Sequence, residues 1–247
     1  MRVLGVIPAR LGSSRFPGKP LAGLLGRPML EHVYRRAAAC AALDEVVIAT
    51  CDAAIADAAR AFGARAVKTS AGHDRASDRV AEAAANDAAD IVVMIQGDEP
   101  MIVPAMIEAA VAPLKRDAAV VCTNLVAPIR TAEVLADPNT IKVVVGADGR
   151  ILYFSRAAIP CLHQQVFRAG AAHKQVCVIS FRREALAMFC ALPAGRLEQA
   201  ESIDMLRFLE HGVAVHAVAT EIDTQSVDTA DDLALVERLM RAESARP

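Results

Sequence analysis

The feature that most constrains this chain is an alternation of short, wholly apolar runs with longer segments of helical period. Val3 to Ile7, Val46 to Ala49, Ile91 to Ile95 and Val120 to Cys122 are too short for core helices and hold no alternating polar residue. A strand apolar on both sides must be covered on both faces, which points to a parallel sheet between helices. Pro28, suited to a first helical position, precedes Met29, Leu30, Val33 and Ala37 on one face. Pro104 likewise precedes Met106, Ile107, Ala110, Val111 and Leu114. The expectation is an α/β fold, a mostly parallel sheet flanked by helices.

The pattern changes between residues 127 and 195, where Ile141 to Val145, Ile151 to Phe154 and Val176 to Phe181 read as strands with glycine turn signals between them. This is expected to be a smaller, mixed, β-rich subregion embedded in one domain that spans all 247 residues. Leu197 to His211 reads as one helix stopped by Gly212, and Val213 to Val218 as a strand. Thr229 is expected to cap the last helix, with Asp232 completing a capping-box-like pair.

Charge and composition exclude several partners. With a formal net charge of -2 and scattered basic residues, the chain has no electrostatic footprint for nucleic acid or a membrane surface. No segment approaches the ~20 apolar residues of a membrane span. The opening MRVLGVIPAR lacks a signal-peptide pattern, so a cytoplasmic location is expected. Six cysteines without a C-x-x-C pair are expected to be reduced core residues.

The chemistry-bearing residues cluster at strand ends. Directly after the first strand runs Pro8-Ala9-Arg10-Leu11-Gly12-Ser13-Ser14-Arg15-Phe16-Pro17-Gly18-Lys19-Pro20, with three basic side chains, two hydroxyls and two glycines. Open α/β sheets bind ligands at strand carboxyl ends, and such a loop suits a triphosphate. Residue types alone fit a solvated surface loop equally well. Gln96-Gly97-Asp98-Glu99-Pro100 follows the third apolar run, where a carboxylate suits magnesium, or equally a turn before Pro104. Asp228, before the last helix, is either a second metal ligand or a stabiliser of that helix terminus. Arg75 and Ser77, at the entry to another helix, suit a base or phosphate contact, or capping and surface ion pairs.

Taken together, V-I-P-A-R-L-G-S-S-R-F-P-G-K-P-L, V-V-M-I-Q-G-D-E-P-M-I, Y-F-S-R-A-A-I-P and V-D-T-A-D-D-L closely resemble the CMP-Kdo synthetases, the 3-deoxy-manno-octulosonate cytidylyltransferases of lipopolysaccharide synthesis. The likeness runs from Arg2 to about Glu237 in the family's motif order. It implies a Rossmann-like core, CTP and an acidic sugar as substrates, Mg2+ as cofactor, and a homodimer formed through the smaller mixed region. By the same resemblance, Arg10 and Lys19 lie along the triphosphate, and Ser13 and Arg15 share that loop. Pro8, Ala9, Arg75, Ser77 and Gln96 form the cytidine side, and Gln96 also faces the sugar. Asp98 and Asp228 hold magnesium, and Arg156 contacts the sugar acid.

The sequence departs from the family where the sugar is read. Where members carry H-L-G-I-Y-G-Y-R, this chain has Gln175 in place of the sugar-contacting His and Ile179 in place of Tyr, with His173 nearby as an alternative contact. Asp204 replaces Glu and Met205 replaces Gln in the later helical motif, and Arg75-Ala76-Ser77-Asp78-Arg79 replaces S-G-T-E-R. Changed polar contacts discriminate strongly among substrates. The alternatives are therefore CMP transfer to another anionic acceptor (a nonulosonic acid, an amino-Kdo or a phosphonate) and a non-catalytic nucleotide-binding regulator.

Overall fold

The computed structural model describes residues 1–12, 15–162, 166–222 and 224–244. The chain forms two compact units, Met1–Glu108 with Thr224–Pro247, and Ala109–Asp223.

In chain order the first unit contains β1 (Val3–Pro8), a short hairpin of β2 (Gly23–Leu24) and β3 (Arg27–Pro28), α1 (Met29–Ala38), β4 (Glu45–Thr50), α2 (Ala53–Ala61), β5 (Arg65–Lys68), α3 (Ala76–Ala84) and β6 (Ile91–Ile95). The strands β6, β1, β4 and β5 lie side by side in that order, all parallel, with Val6 opposite both Val47 and Met94. Every residue of β1 and of β6 is buried, as strands covered on both faces must be. A helix returns the chain between successive strands, so all four carboxyl ends share one edge. The chain builds outward from β1 through β4 to β5, then comes back to place β6 on the other side of β1. The crevice at such a reversal is where open α/β sheets bind ligands.

Two details differ from the sequence reading. The first helix begins at Met29, with Pro28 closing the hairpin as the residue before it. The edge strand β5 leaves no mark in the sequence because it carries no apolar run: Ala66 and Val67 are half-buried, and Arg65 and Lys68 are exposed. The next helix, α4 (Pro104–Arg116), starts where expected and buries all five anticipated positions.

The second unit contains β7 (Cys122–Pro128), α5 (Ala132–Ala136), β8 (Lys142–Val145), β9 (Ile151–Ser155), β10 (His173–Arg182), α6 (Arg183–Ala191), α7 (Arg196–Glu201), α8 (Leu206–Glu210) and β11 (His216–Ala219). Its sheet is mixed: β11 is parallel to β7, while β7 with β10, β10 with β8, and β8 with β9 are antiparallel. Strand β10 carries a bulge at Cys177 and Val178, because the register passes from Val176 opposite Leu125 to Ile179 opposite Asn124. Phe181, Phe189 and Phe208 meet edge to face and tilted beneath it, with centroids 5.0 to 6.2 Å apart.

The helix expected over Leu197 to His211 is instead two. Ser202 adopts the left-handed conformation, at φ 53°, and ends α7. The connection then buries Ile203 and Met205 before α8 begins. What outweighs helical continuity is tertiary: the Glu198 carboxylate forms a buried two-point pair with the Arg207 guanidinium, both contacts at 2.8 Å, and Arg207 also lies 4.4 Å over the Phe189 ring. Gly212, at φ 72°, follows α8 as expected, but the strand after it is confined to β11.

The chain then returns to the first unit for α9 (Ala230–Ser244). The Thr229 hydroxyl accepts from the Asp232 N–H at 3.2 Å, and Asp232 accepts from the Thr229 N–H at 2.8 Å, the anticipated reciprocal cap. Val227, Val236 and Met240 pack with Leu24 and Met29 in one apolar cluster. Among the described residues, no helix is long and apolar enough to cross a membrane. The six cysteines form no disulfide; Cys40 and Cys122 are buried as expected, whereas Cys161 and Cys190 are exposed at loop and helix surfaces.

Candidate active site

In the first unit, β1 delivers the chain into the polar loop. The Ala9 N–H continues the β4 ladder by donating to the Ala49 carbonyl at 2.9 Å, and the Leu11 N–H donates to the Asp52 carboxylate at 2.8 Å. Gly18 closes the loop on the Leu11 carbonyl at 3.2 Å in a left-handed conformation, φ 71°, that disfavours side chains. Gly97, after β6, approaches β1 so closely that a Cβ there would lie 3.1 Å from the Pro8 carbonyl oxygen. The two loops therefore meet backbone to backbone, and Asp98 follows.

The Val227 N–H donates to the Asp98 carbonyl at 2.9 Å, and Val227 is anchored by its full burial in the apolar cluster. These two constraints bring Asp228 beside Asp98 from more than a hundred residues away. Lys19 completes the group: its Nζ donates to Asp98 Oδ2 at 2.9 Å, to Asp228 Oδ1 at 3.3 Å and to the Val227 carbonyl at 2.7 Å. Arg15 donates to the same Asp228 Oδ1 at 3.0 Å. Burial works against the Lys19 charge, but the charges and hydrogen bonds of Asp98 and Asp228 outweigh it and raise the pKa above its ordinary value.

The donor set around Nζ, two carboxylates and a carbonyl, is one that a hard divalent cation also accepts. Among the described residues, no group of three or more His, Cys, Asp or Glu side chains forms a metal cage. A pair of carboxylates suits magnesium, which usually completes its shell with substrate phosphates and water. The residues present therefore fit a cation that arrives with a polyphosphate.

The other nucleotide-side candidates lie around this edge. Pro8 and Ala9 are buried at the end of β1, Gln96 is half-buried directly before Gly97, and Arg10 is exposed. Ser13 lies outside the described residues. Arg75 immediately precedes α3 and is half-buried, and Ser77 is fully buried in the first turn. Arg79, also buried, donates to the Thr69 hydroxyl and the Ser70 carbonyl, which ties α3 to the chain leaving β5.

In the second unit, Arg156 leaves β9 under close restraint. Its N–H donates to Glu201 Oε2 at 2.8 Å, its Nε to the Glu201 carbonyl at 2.7 Å and its Nη1 to the Pro138 carbonyl at 3.0 Å. Lys142, with no exposed surface, donates from Nζ to the carbonyls of Asp137 and Thr140 at 2.7 Å and to that of Arg156. Burial, countered by the charges of Asp137 and Glu201, holds its pKa below the ordinary lysine value.

His173 and Gln175 lie two residues apart on β10. Gln175 Nε2 donates to Asn124 Oδ1 at 2.6 Å, and buried Asn124 is itself fixed by donating to the Leu125 and Val176 carbonyls at 2.8 and 3.0 Å. Asp204 lies in the α7–α8 connection, and its charge adds to burial in raising the Cys122 thiol pKa. Ile179 and Met205 are buried.

Sequence reasoning missed Lys142, Glu201 and Asn124. A lysine or glutamate reads as surface by default: the burial of Lys142 shows only when the strands are paired, and half-buried Glu201 is marked only by its contacts to Ser155 and Arg156.

A sequence model of the cytidylyltransferase family matches residues 4–221. The 3-deoxy-manno-octulosonate cytidylyltransferase of Nitratidesulfovibrio vulgaris (strain DP4) is 47% identical over 244 residues, covering 96% of this chain and 95% of that protein. The enzyme of the same name from Syntrophobacter fumaroxidans is 45% identical over 239 residues, covering 96% of each. A solved structure of CMP:2-keto-3-deoxy-manno-octonic acid synthetase complexed with CTP superposes with a TM-score of 0.91 at 38% identity, covering 98% of this chain and 100% of that one. With near-complete coverage in sequence and in fold, this chain belongs to the 3-deoxy-manno-octulosonate cytidylyltransferase family.

Proposed function

We propose that the protein transfers CMP from CTP to the anomeric hydroxyl of 3-deoxy-manno-octulosonate, or of a closely related acidic sugar, and releases pyrophosphate. The observation that carries this reading is the convergence of Asp98, Asp228 and Lys19 beside the loop after β1. Family membership supplies the nucleotide and the acceptor class.

In this mechanism the acceptor oxygen forms a bond to the α-phosphorus, the bridging oxygen to the β-phosphorus departs with pyrophosphate, and the hydroxyl proton is lost to solvent. Arg10, Arg15 and Lys19 bind the triphosphate and offset charge on the leaving group. Lys19 enters the reaction charged, as a lysine is at neutral pH. Pro8, Ala9, Ser13, Arg75, Ser77 and Gln96 orient the nucleotide, and Arg156 holds the sugar's carboxylate. Asp98 and Asp228 would hold Mg2+, which when bound neutralises phosphate charge and lowers the pKa of a coordinated hydroxyl. We read the protein as a cytoplasmic homodimer, with residues 127–195 at the contact; light scattering at assay concentration tests the dimer.

A second acceptor is favoured by a specific observation. Gln175 is committed to Asn124, while Ile179 and Met205 are buried and apolar, so the polar contacts expected of the family at these places are altered. Pyrophosphate release with CTP and magnesium, measured across Kdo, 8-amino-Kdo, sialic-acid-like sugars and phosphonates, tests both. Turnover with Kdo supports the first reading, turnover only with another acid supports the second, and no turnover with any acceptor overturns both.

A further inference from the structure

We infer that Glu201 is a positioning residue for acceptor recognition, acting through Arg156. The inference rests on the reading of Arg156 as the contact to the acceptor's carboxylate.

The Glu201 carboxylate faces the end of β9 and takes one donor on each oxygen: the Ser155 hydroxyl on Oε1 at 2.6 Å and the Arg156 N–H on Oε2 at 2.8 Å. The carbonyl of the same residue accepts Arg156 Nε at 2.7 Å, so Glu201 grips both backbone and head of Arg156. The next residue adds to the grip, since Arg156 Nη2 donates to the Ser202 carbonyl at 3.5 Å. Opposite, buried Lys142 holds the Arg156 carbonyl.

A guanidinium has five N–H donors. Among the described residues, three are spent, on the carbonyls of Glu201, Pro138 and Ser202. The two that remain match what a carboxylate takes in a two-point pair, and fixing the head beforehand removes the rotamer cost of forming it.

Glu201 is in turn fixed by the break after α7. Ser202 in the left-handed conformation ends the helix there, and the Glu198–Arg207 pair together with Glu210, which accepts from the N–H groups of Leu197 and Glu198 at 3.0 and 3.1 Å, holds α7 in place. A continuous helix through 202 would carry the Glu201 carbonyl along its own axis, engaged within the helix, and lose the contact to Arg156 Nε.

The test is steady-state kinetics of Glu201→Gln, Arg156→Ala and the double variant, with whichever acceptor turns over, and thermal melts as a fold control. Glu201→Gln keeps the shape but replaces one acceptor oxygen by an NH2 that cannot accept from the Arg156 N–H or pair as well with Ser155. The expected result is an acceptor KM raised about tenfold, an unchanged CTP KM, and no further increase when Glu201→Gln is added to Arg156→Ala. Ser155→Ala, which removes one of the two donors from a site where alanine fits, should give a smaller rise of the same kind and serves if Glu201→Gln does not fold. Additive effects, or CTP and acceptor KM rising together, overturn the inference. If Arg156→Ala leaves the acceptor KM unchanged, the underlying reading of Arg156 fails instead.

Discussion

At the scale of single residues, the first unit turns on one ammonium between two carboxylates. Asp98→Asn keeps an oxygen for Lys19 but halves the anionic charge of the Asp98–Asp228 pair. It should lower pyrophosphate release by about 10²–10³-fold, the usual cost of removing one electrostatic stabiliser, with a melting temperature within about 2 °C of the parent. Near-parental turnover at matched magnesium would remove Asp98 from the mechanism. Lys19 gives a pH prediction. Its folded pKa lies above its unfolded 10.5, so the stabilisation it gains from the carboxylates is complete below 10.5 and fades only as pH rises through the raised value. Lysine therefore stays charged throughout an assay from pH 7 to about 9.5, and Lys19→Arg should share the shape of the parental profile. An alkaline limb present in the parent and absent from Lys19→Arg would contradict this. Asp98 and Asp228 were legible as candidates because each directly follows an apolar run or precedes a capped helix. Their convergence was not legible from spacing, because it depends on the Val227 N–H reaching the Asp98 carbonyl across the fold. Lys142 and Glu201 were illegible because nothing in their local sequence marks a charged group as buried or gripping a strand end.

At the scale of elements, the strands of the parallel sheet were readable because burial on both faces leaves a mark in the sequence, as in Ile91–Ile95. The break between α7 and α8 was not, because the periodicity of Leu197 to His211 is satisfied by either arrangement and only the Glu198–Arg207 pair and the Glu201 contacts choose between them. That pair makes a sharp prediction. With side-chain exposures of 1% and 6%, replacing Arg207 takes the two-point guanidinium pair away from a carboxylate in the interior. Arg207→Met should cost about 3–5 kcal/mol in chemical denaturation, whereas Glu198→Met with Arg207→Met should recover much of the loss. Equal destabilisation by the single and double changes would mean that the Arg207 guanidinium's contact with the Phe189 ring, rather than its pairing with Glu198, dominates.

At the scale of the whole molecule, the chain builds most of its first unit, makes the second, and returns for α9. The last segment is thus part of the core from which the Asp98–Lys19–Asp228 group is built, and it carries one of that group's three side chains. Val227 and Val236 are fully buried and Met240 nearly so, against Leu24 and Met29. Each such side chain contributes about 1.5–3 kcal/mol on burial, and their joint loss approaches the total of ~5–15 kcal/mol that keeps a domain folded. Removing residues 224–247 also takes Asp228 and the Val227 carbonyl from Lys19 and exposes the apolar face that they cover. Such a truncated chain should lose the cooperative melt of the first unit and, with it, CTP binding by calorimetry, while a chain ending after Ser244 should keep both. A truncated protein that still melted cooperatively at the parental temperature would show that the β6-β1-β4-β5 sheet is stable without α9, and that the return of the chain serves only to deliver Asp228.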